Sequence, residues 1–172
     1  SNLNVDISKT GEKQVIRFTI EGPKDSYVNK GKHMIQIIDL LKSLIHSPYL
    51  EEGTFSSEYL RQEKENLKRI IEARINDKRS YAIERCIEEM YKNEKFSIYS
   101  LGYIEDLDSI DSKTLYNHYN EVLSKAPIEI FYTGEYDHGL VDYLVNSFRV
   151  ERGDIFKLER ESISGNVQTK NM

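Results

Sequence analysis

The chain has 172 residues, of which 38% are hydrophobic and 31% charged, a balance that excludes a collagen-like, membrane-spanning or wholly disordered polypeptide. Its 24 basic and 29 acidic side chains leave a net charge of −5, which makes nucleic acid a poor fit as a partner because little phosphate charge could be neutralised. No apolar run reaches the ~18 residues of a membrane span and no secretory h-region opens the chain, so no membrane partner is expected. The single cysteine, Cys86, rules out an internal disulfide and a multi-cysteine zinc site. It fits a reducing, cytoplasmic compartment.

Residues 3–8 alternate apolar and polar, Lys9-Thr10-Gly11-Glu12 supplies a turn, and Gln14 to Ile20 alternates again through Ile16, Phe18 and Ile20. This period of two predicts an antiparallel hairpin with one apolar face. From Val28 to His46 the period changes: Met34, Ile37, Ile38, Leu41, Leu44 and Ile45 follow helical spacing, and Pro48 ends the helix. Ser56 is placed to cap a second helix running to about Ile75, with Phe55 and Leu60 forming a staple and Leu60, Leu67, Ile71 and Ile75 inside. Asn76-Asp77 marks a break, after which Arg79 to Lys92 carries Ile83, Cys86, Ile87 and Met90 on one stripe.

Phe96 to Tyr103 reads as an aromatic connection with Gly102. Asp111 caps a fourth helix through Leu115, Tyr119, Val122 and Leu123, and Asp137 caps a fifth through Leu140, Val141, Leu144, Val145 and Phe148. Between them, Ile128 to Thr133 predicts a strand, and Asp154 to Ile163 a last one. The expected fold is α+β, a mainly antiparallel sheet with helices packed on one face. Residues 1–163 form one domain fragment, and 164–172 a polar tail or linker toward a following domain.

Recognisable chemistry is sparse. The four histidines, His33, His46, His118 and His138, lie too far apart for H-E-x-x-H or H-x-x-E-H, and no phosphate-binding glycine loop appears. Cys86 on its apolar stripe reads as a buried small hydrophobe, and His138 as an exposed residue in a first helical turn. Glu84, Glu88 and Glu89, with Arg85 and Lys92 nearby, read as a solvated face, as does the charged side from Arg61 to Arg79. Six tyrosines, Tyr91, Tyr99, Tyr103, Tyr116, Tyr119 and Tyr132, read as half-buried packing residues.

Ordered segments carry more. Phe-Ser-Ser-Glu-Tyr-Leu-Arg-Gln-Glu-Lys-Glu-Asn-Leu from Phe55 leads to Ile75-Asn-Asp-Lys-Arg-Ser-Tyr-Ala82 and Glu84-Arg-Cys-Ile-Glu-Glu-Met90. Ser100-Leu-Gly-Tyr-Ile-Glu-Asp-Leu107, Leu115-Tyr-Asn-His-Tyr119 and Gly134-Glu-Tyr-Asp-His138 follow. In this order, over roughly residues 3–150, the chain resembles the M16 metallopeptidases, the insulinase and mitochondrial-processing-peptidase group. It is most similar to the noncatalytic-looking paralogues of Gram-positive bacteria.

The resemblance implies a half-unit of a peptide-enclosing chamber, with peptides adding as a strand beside a zinc site. The family's docking strand carries Asn-Ala, and Asn4-Val5 matches it with valine for alanine, which makes Asn4 and Val5 the expected peptide-binding residues. The family's H-x-x-E-H helix would lie upstream of Asn4, so the chain reads as a fragment of a longer protein. The position of the third zinc ligand, a glutamate in the family, falls at Ile70, with Glu72 about 200° round the helix. The expectation is therefore no catalytic residue, metal ligand or cofactor in this chain, zinc entering only if the parent is active.

The leading reading is a noncatalytic family fragment shaping a peptide chamber with an active paralogue. It also predicts self-association through the N-terminal sheet edge. Two alternatives stand beside it: a fragment of a working zinc endopeptidase, and a structural interaction module without peptide binding.

Overall fold

A computed structural model of the chain describes residues 2–28, 31–149 and 154–157. Strands β1 (Asn2–Thr10) and β2 (Lys13–Glu21) form an antiparallel hairpin in unbroken register from Asn2↔Glu21 to Thr10↔Lys13. Its two-residue loop carries Gly11 at φ +62° with no positive φ at Glu12, the arrangement of a type II′ turn that a β-carbon at the first position would strain. Register puts Leu3, Val5 and Ile7 opposite Ile20, Phe18 and Ile16, so the alternation collects six apolar side chains on one face.

Six α-helices follow among the described residues: α1 (His33–His46), α2 (Ser57–Ala73), α3 (Lys78–Met90), α4 (Ile104–Leu107), α5 (Ser112–Lys125) and α6 (His138–Ser147). The α+β class expected from the sequence is thus the one observed. The start of α1 is fixed by Asp25, whose carboxylate accepts from Lys32 N at 2.8 Å and Met34 N at 2.9 Å, satisfying donors that a first helical turn leaves open. Asp77, Asp111 and Asp137 cap α3, α5 and α6 by accepting from Ser80 N, Thr114 N and Leu140 N. At Asp111 the box is reciprocal, Thr114 Oγ1 accepting from Asp111 N at 2.9 Å. These bonds hold the Asp77 and Asp111 carboxyls below the usual carboxylate range, chiefly through Ser80 and Thr114.

The core is small and lies mostly on α1. Ile37, Ile38, Leu41 and Ile45 are buried with Ile71 of α2, Leu107 of α4 and the backbone-capping Ser56. The C-terminal helices close over it. Tyr143 on α6 donates to Asp39 Oδ1 at 2.5 Å, and Tyr119 on α5 donates to the Ile45 carbonyl, an orphan acceptor at the end of α1. Phe55 packs edge-on against both Tyr116 and Tyr119, each at 5.4 Å.

Five expectations need correction, the first being Ile75, which is 56% exposed rather than inside. Ile128 to Thr133 joins no ladder among the described residues, and Ile128, Ile130 and Phe131 are exposed, because a strand needs a neighbour that local sequence does not supply. Most of the apolar stripe of α3 faces outward: Ile83, Cys86 and Met90 are exposed, and Ile87 is half-buried. The opposite side of that helix carries Glu84 and Glu88 inward, so these two are not part of a solvated face. Of the expected strand 154–163, residues 154–157 form no strand, Phe156 N donating instead to the Lys125 carbonyl at 2.9 Å, and the rest lies outside the described residues with the 164–172 tail.

Candidate functional site: the hairpin edge

Asn4 and Val5 sit mid-strand in β1, opposite Thr19 and Phe18, and both are exposed. β2 occupies one edge of β1, and no strand pairs with the other among the described residues. Alternate residues along the nine-residue strand therefore direct their N–H and C=O outward on that side, available to an added extended chain.

Two side chains that the sequence did not single out hold the hairpin on the helices. The Lys9 ammonium donates to the carbonyls of Lys95, Phe96 and Ile98 and lies 5.3 Å from the Phe96 ring centroid. Gln14, opposite Lys9 in register, donates to the Ser100 carbonyl at 2.9 Å. Lys95–Ser97 is a 3-10 turn whose Lys95 carbonyl also accepts from Ile98 N at 3.3 Å, and the C-terminal end of a helical turn is where a cation is favoured. At the other end Leu3 and Ile20 line a depression of about 260 Å³ with His33, Gln36, Ile37 and Leu40 of α1. The only advance signal was the register: the hairpin places Lys9 and Gln14 side by side.

Elsewhere the chemistry-bearing residues are engaged with one another. Arg74 lies 4.5 Å from the Tyr99 ring and 5.3 Å from Tyr81, and pairs with Glu88 at 3.3 Å. Burial pushes the Tyr99 hydroxyl up, with Glu84 adding to the rise and Arg74 opposing it. Glu84 Oε2 is buried with no hydrogen-bond partner among the described residues. His138 is exposed as expected and lies 3.6 Å from Asp142. The tyrosines expected to be half-buried are so, apart from the more exposed Tyr103.

Ile70 is exposed on α2, and Glu72 faces Lys68 at 3.9 Å on the helix surface. Among the described residues no three of His, Cys, Asp and Glu come together in a way that could hold a metal ion. Nor is any described helix long and apolar enough to cross a membrane.

The architecture is thus that of a helix-rich α+β chain with one anchored hairpin and an open strand edge. No family model matches the chain. Over 99% of its length it is 31% identical to the probable inactive metalloprotease YmfF of Bacillus subtilis (strain 168), of which it spans 40%. It also shares its fold with a conserved protein of Enterococcus faecalis V583 seen in a crystal structure. That match has a TM-score of 0.66 and 27% identity, and covers 72% of this chain and 29% of the other. The chain therefore spans less than half of each relative, one of them carrying an inactive-metalloprotease name.

Proposed function

We propose that the chain is part of a noncatalytic M16-type, insulinase-like relative, whose role is to shape a peptide-binding chamber together with an active paralogue. The observation that supports this reading is the match, over 99% of this chain and 40% of the relative, to a probable inactive metalloprotease. The ligand position at Ile70 agrees with it, since an isoleucine offers a metal no lone pair. The free edge of β1 gives the chamber its peptide contact: an extended peptide adds there as a strand, with Asn4 and Val5 at its centre. Each backbone bond so gained contributes roughly 0.5–1.5 kcal/mol net.

Zinc and peptide are measured together. Metal analysis after dialysis against trace zinc should give well under one equivalent, and tight one-to-one binding lost in Glu72→Ala would overturn the noncatalytic reading. Calorimetric titration of extended peptides into the parent protein, with and without its paralogue, should show binding that Val5→Pro weakens at least tenfold. Binding indifferent to the proline would remove Asn4 and Val5 from the site.

A further inference from the structure

The free edge of β1 carries two alternating sets of residues, and the turn decides what each set offers. In a two-residue hairpin the pair next to the loop exchanges both of its backbone hydrogen bonds. Here that pair is Thr10↔Lys13, so Thr10, Ser8, Asp6 and Asn4 turn their N–H and C=O toward β2. The residues between them, Lys9, Ile7, Val5 and Leu3, turn theirs to the open side. Side chains of this second set lie on the apolar face, and Asn4 and Asp6 project from the other.

A strand added here bonds to the backbone of Leu3, Val5 and Ile7 and meets Asn4 and Asp6 only through side chains. Antiparallel addition is the more stable per residue. In that arrangement the residue facing Asp6 forms a non-hydrogen-bonded pair, with Cα atoms about 4.5 Å apart and side chains at their closest. Leu3, Val5 and Ile7 are 40%, 51% and 48% exposed, and Asn4 and Asp6 are exposed on the opposite face. The next pair on that face, Ser8↔Val15, is half-buried, with the Ser8 hydroxyl oxygen buried. The accessible stretch is therefore Leu3 to Ile7.

Asp6 is the one charge on that stretch. Arg17 lies opposite it on β2, but the two form no ion pair with each other. An added strand lies one spacing of about 4.8 Å from β1 and two, about 10 Å, from β2. With a screening length of about 8 Å at physiological ionic strength, the carboxylate outweighs the guanidinium at that distance. The same charge disfavours a second copy as occupant. Full antiparallel overlap of two nine-residue β1 strands sets Asp6 against Asp6 of the other copy at the closest kind of pair.

Resting on the peptide reading of this edge, we propose that Asp6 is its specificity-determining residue. The edge selects an extended segment with a lysine or arginine facing Asp6, between two apolar residues facing Val5 and Ile7. The apolar pair packs on the exposed apolar face and the cation meets the carboxylate. The backbone bonds, which any sequence can make, hold the segment without choosing it.

The probes are N-terminally labelled pentapeptides Val-X-Val-Thr-Val, with lysine, glutamine or glutamate at X, titrated into the parent protein and followed by fluorescence anisotropy. The lysine peptide should bind about threefold tighter than the glutamine one and about tenfold tighter than the glutamate one. That spread should shrink in high salt. Asp6→Asn should bring the three affinities within about twofold of one another, and Asp6→Lys should reverse their order, which a merely structural role of Asp6 does not predict. A lysine preference unchanged in Asp6→Asn, or no preference at all, would overturn the assignment while leaving binding at the edge, read by Val5→Pro, intact. Binding of all three peptides that Val5→Pro leaves unchanged would overturn the edge reading and this inference with it. Sedimentation showing a wild-type dimer that the lysine peptide does not dissociate would identify a second copy as the occupant and overturn the proposal as well.

Discussion

Helices α1 and α3 are written with the same signal and folded in opposite senses. Each carries four or more apolar residues at helical spacing, and each forms close to where that spacing puts it. In α1 most of the stripe is the core: Ile37, Ile38, Leu41 and Ile45 are buried, while Leu44 is 48% exposed. In α3 Ile83 and Met90 are 54% and 68% exposed, while Glu88, on the inner side, keeps 12% of its side chain accessible. An amphipathic pattern determines that a helix has two faces; the neighbours determine which face is covered. α1 has α6 packed against it and Tyr119 of α5 bonded to its last turn. α3 has Arg74, which binds Glu88 and stacks over Tyr81 and Tyr99, so its polar side is the one drawn in.

The comparison breaks most sharply under truncation. Ile38→Ala removes three carbons from a packed site and should cost about 2–5 kcal/mol. Ile83→Ala, on the outward stripe, should cost under about 1 kcal/mol, nearer the surface range. Denaturant midpoints of the two variants measure the difference directly. Comparable losses would mean that α3 turns its stripe inward in solution.

A second variant sharpens the α1 side. Tyr119 donates its hydroxyl to the Ile45 carbonyl, and burial pushes that hydroxyl above its ordinary value of 10.0. Tyr119→Phe leaves the carbonyl without this donor and should cost about 0.5–1.5 kcal/mol near neutral pH. Because the folded hydroxyl holds its proton more tightly than the unfolded one, its stabilising contribution is complete below pH 10 and is lost as pH rises through the folded value. The wild type should therefore lose stability above pH 10 faster than Tyr119→Phe. Tyr99, also raised, adds a slope common to both chains. Parallel curves would show that the Tyr119 hydroxyl does not link α5 to α1.

These contrasts mark what the sequence could convey. Asp111 and Asp137 were legible as caps because capping is decided within four residues, and the hairpin because alternation on both sides of a glycine turn is equally local. The Asn76-Asp77 break was legible for the same reason, Asp77 turning out to cap α3. What the sequence could not convey was pairing at a distance. Ile128 to Thr133 has the composition of a strand and joins no ladder among the described residues. Glu84 and Glu88 looked solvated because their covering partners, Arg74 and Tyr99, come from other segments. Asn4 and Val5 were placed by resemblance; their register and exposure follow from the hairpin, and their use by a peptide does not.

The smallest expected effect is at Cys86, and it isolates the α3 side of the comparison. A cysteine on a helical apolar stripe is ordinarily a buried, slowly reacting small hydrophobe. Here the thiol is exposed, with Met90 Sδ 3.5 Å away as its near neighbour, so little protein shields it from a reagent. Labelling of the native chain should proceed within a few-fold of the denatured rate, and Cys86→Ser should shift stability by no more than about 0.5 kcal/mol, as for other surface changes. Both readings are needed together. Fast labelling with a large stability loss would mean that local opening of α3 exposes the thiol, and slow labelling would mean that its stripe is covered. Only fast labelling with a near-zero loss places Ile83, Cys86 and Met90 on an outer surface and leaves Arg74, Glu88 and Tyr99 as the side of α3 that holds it to the rest of the chain.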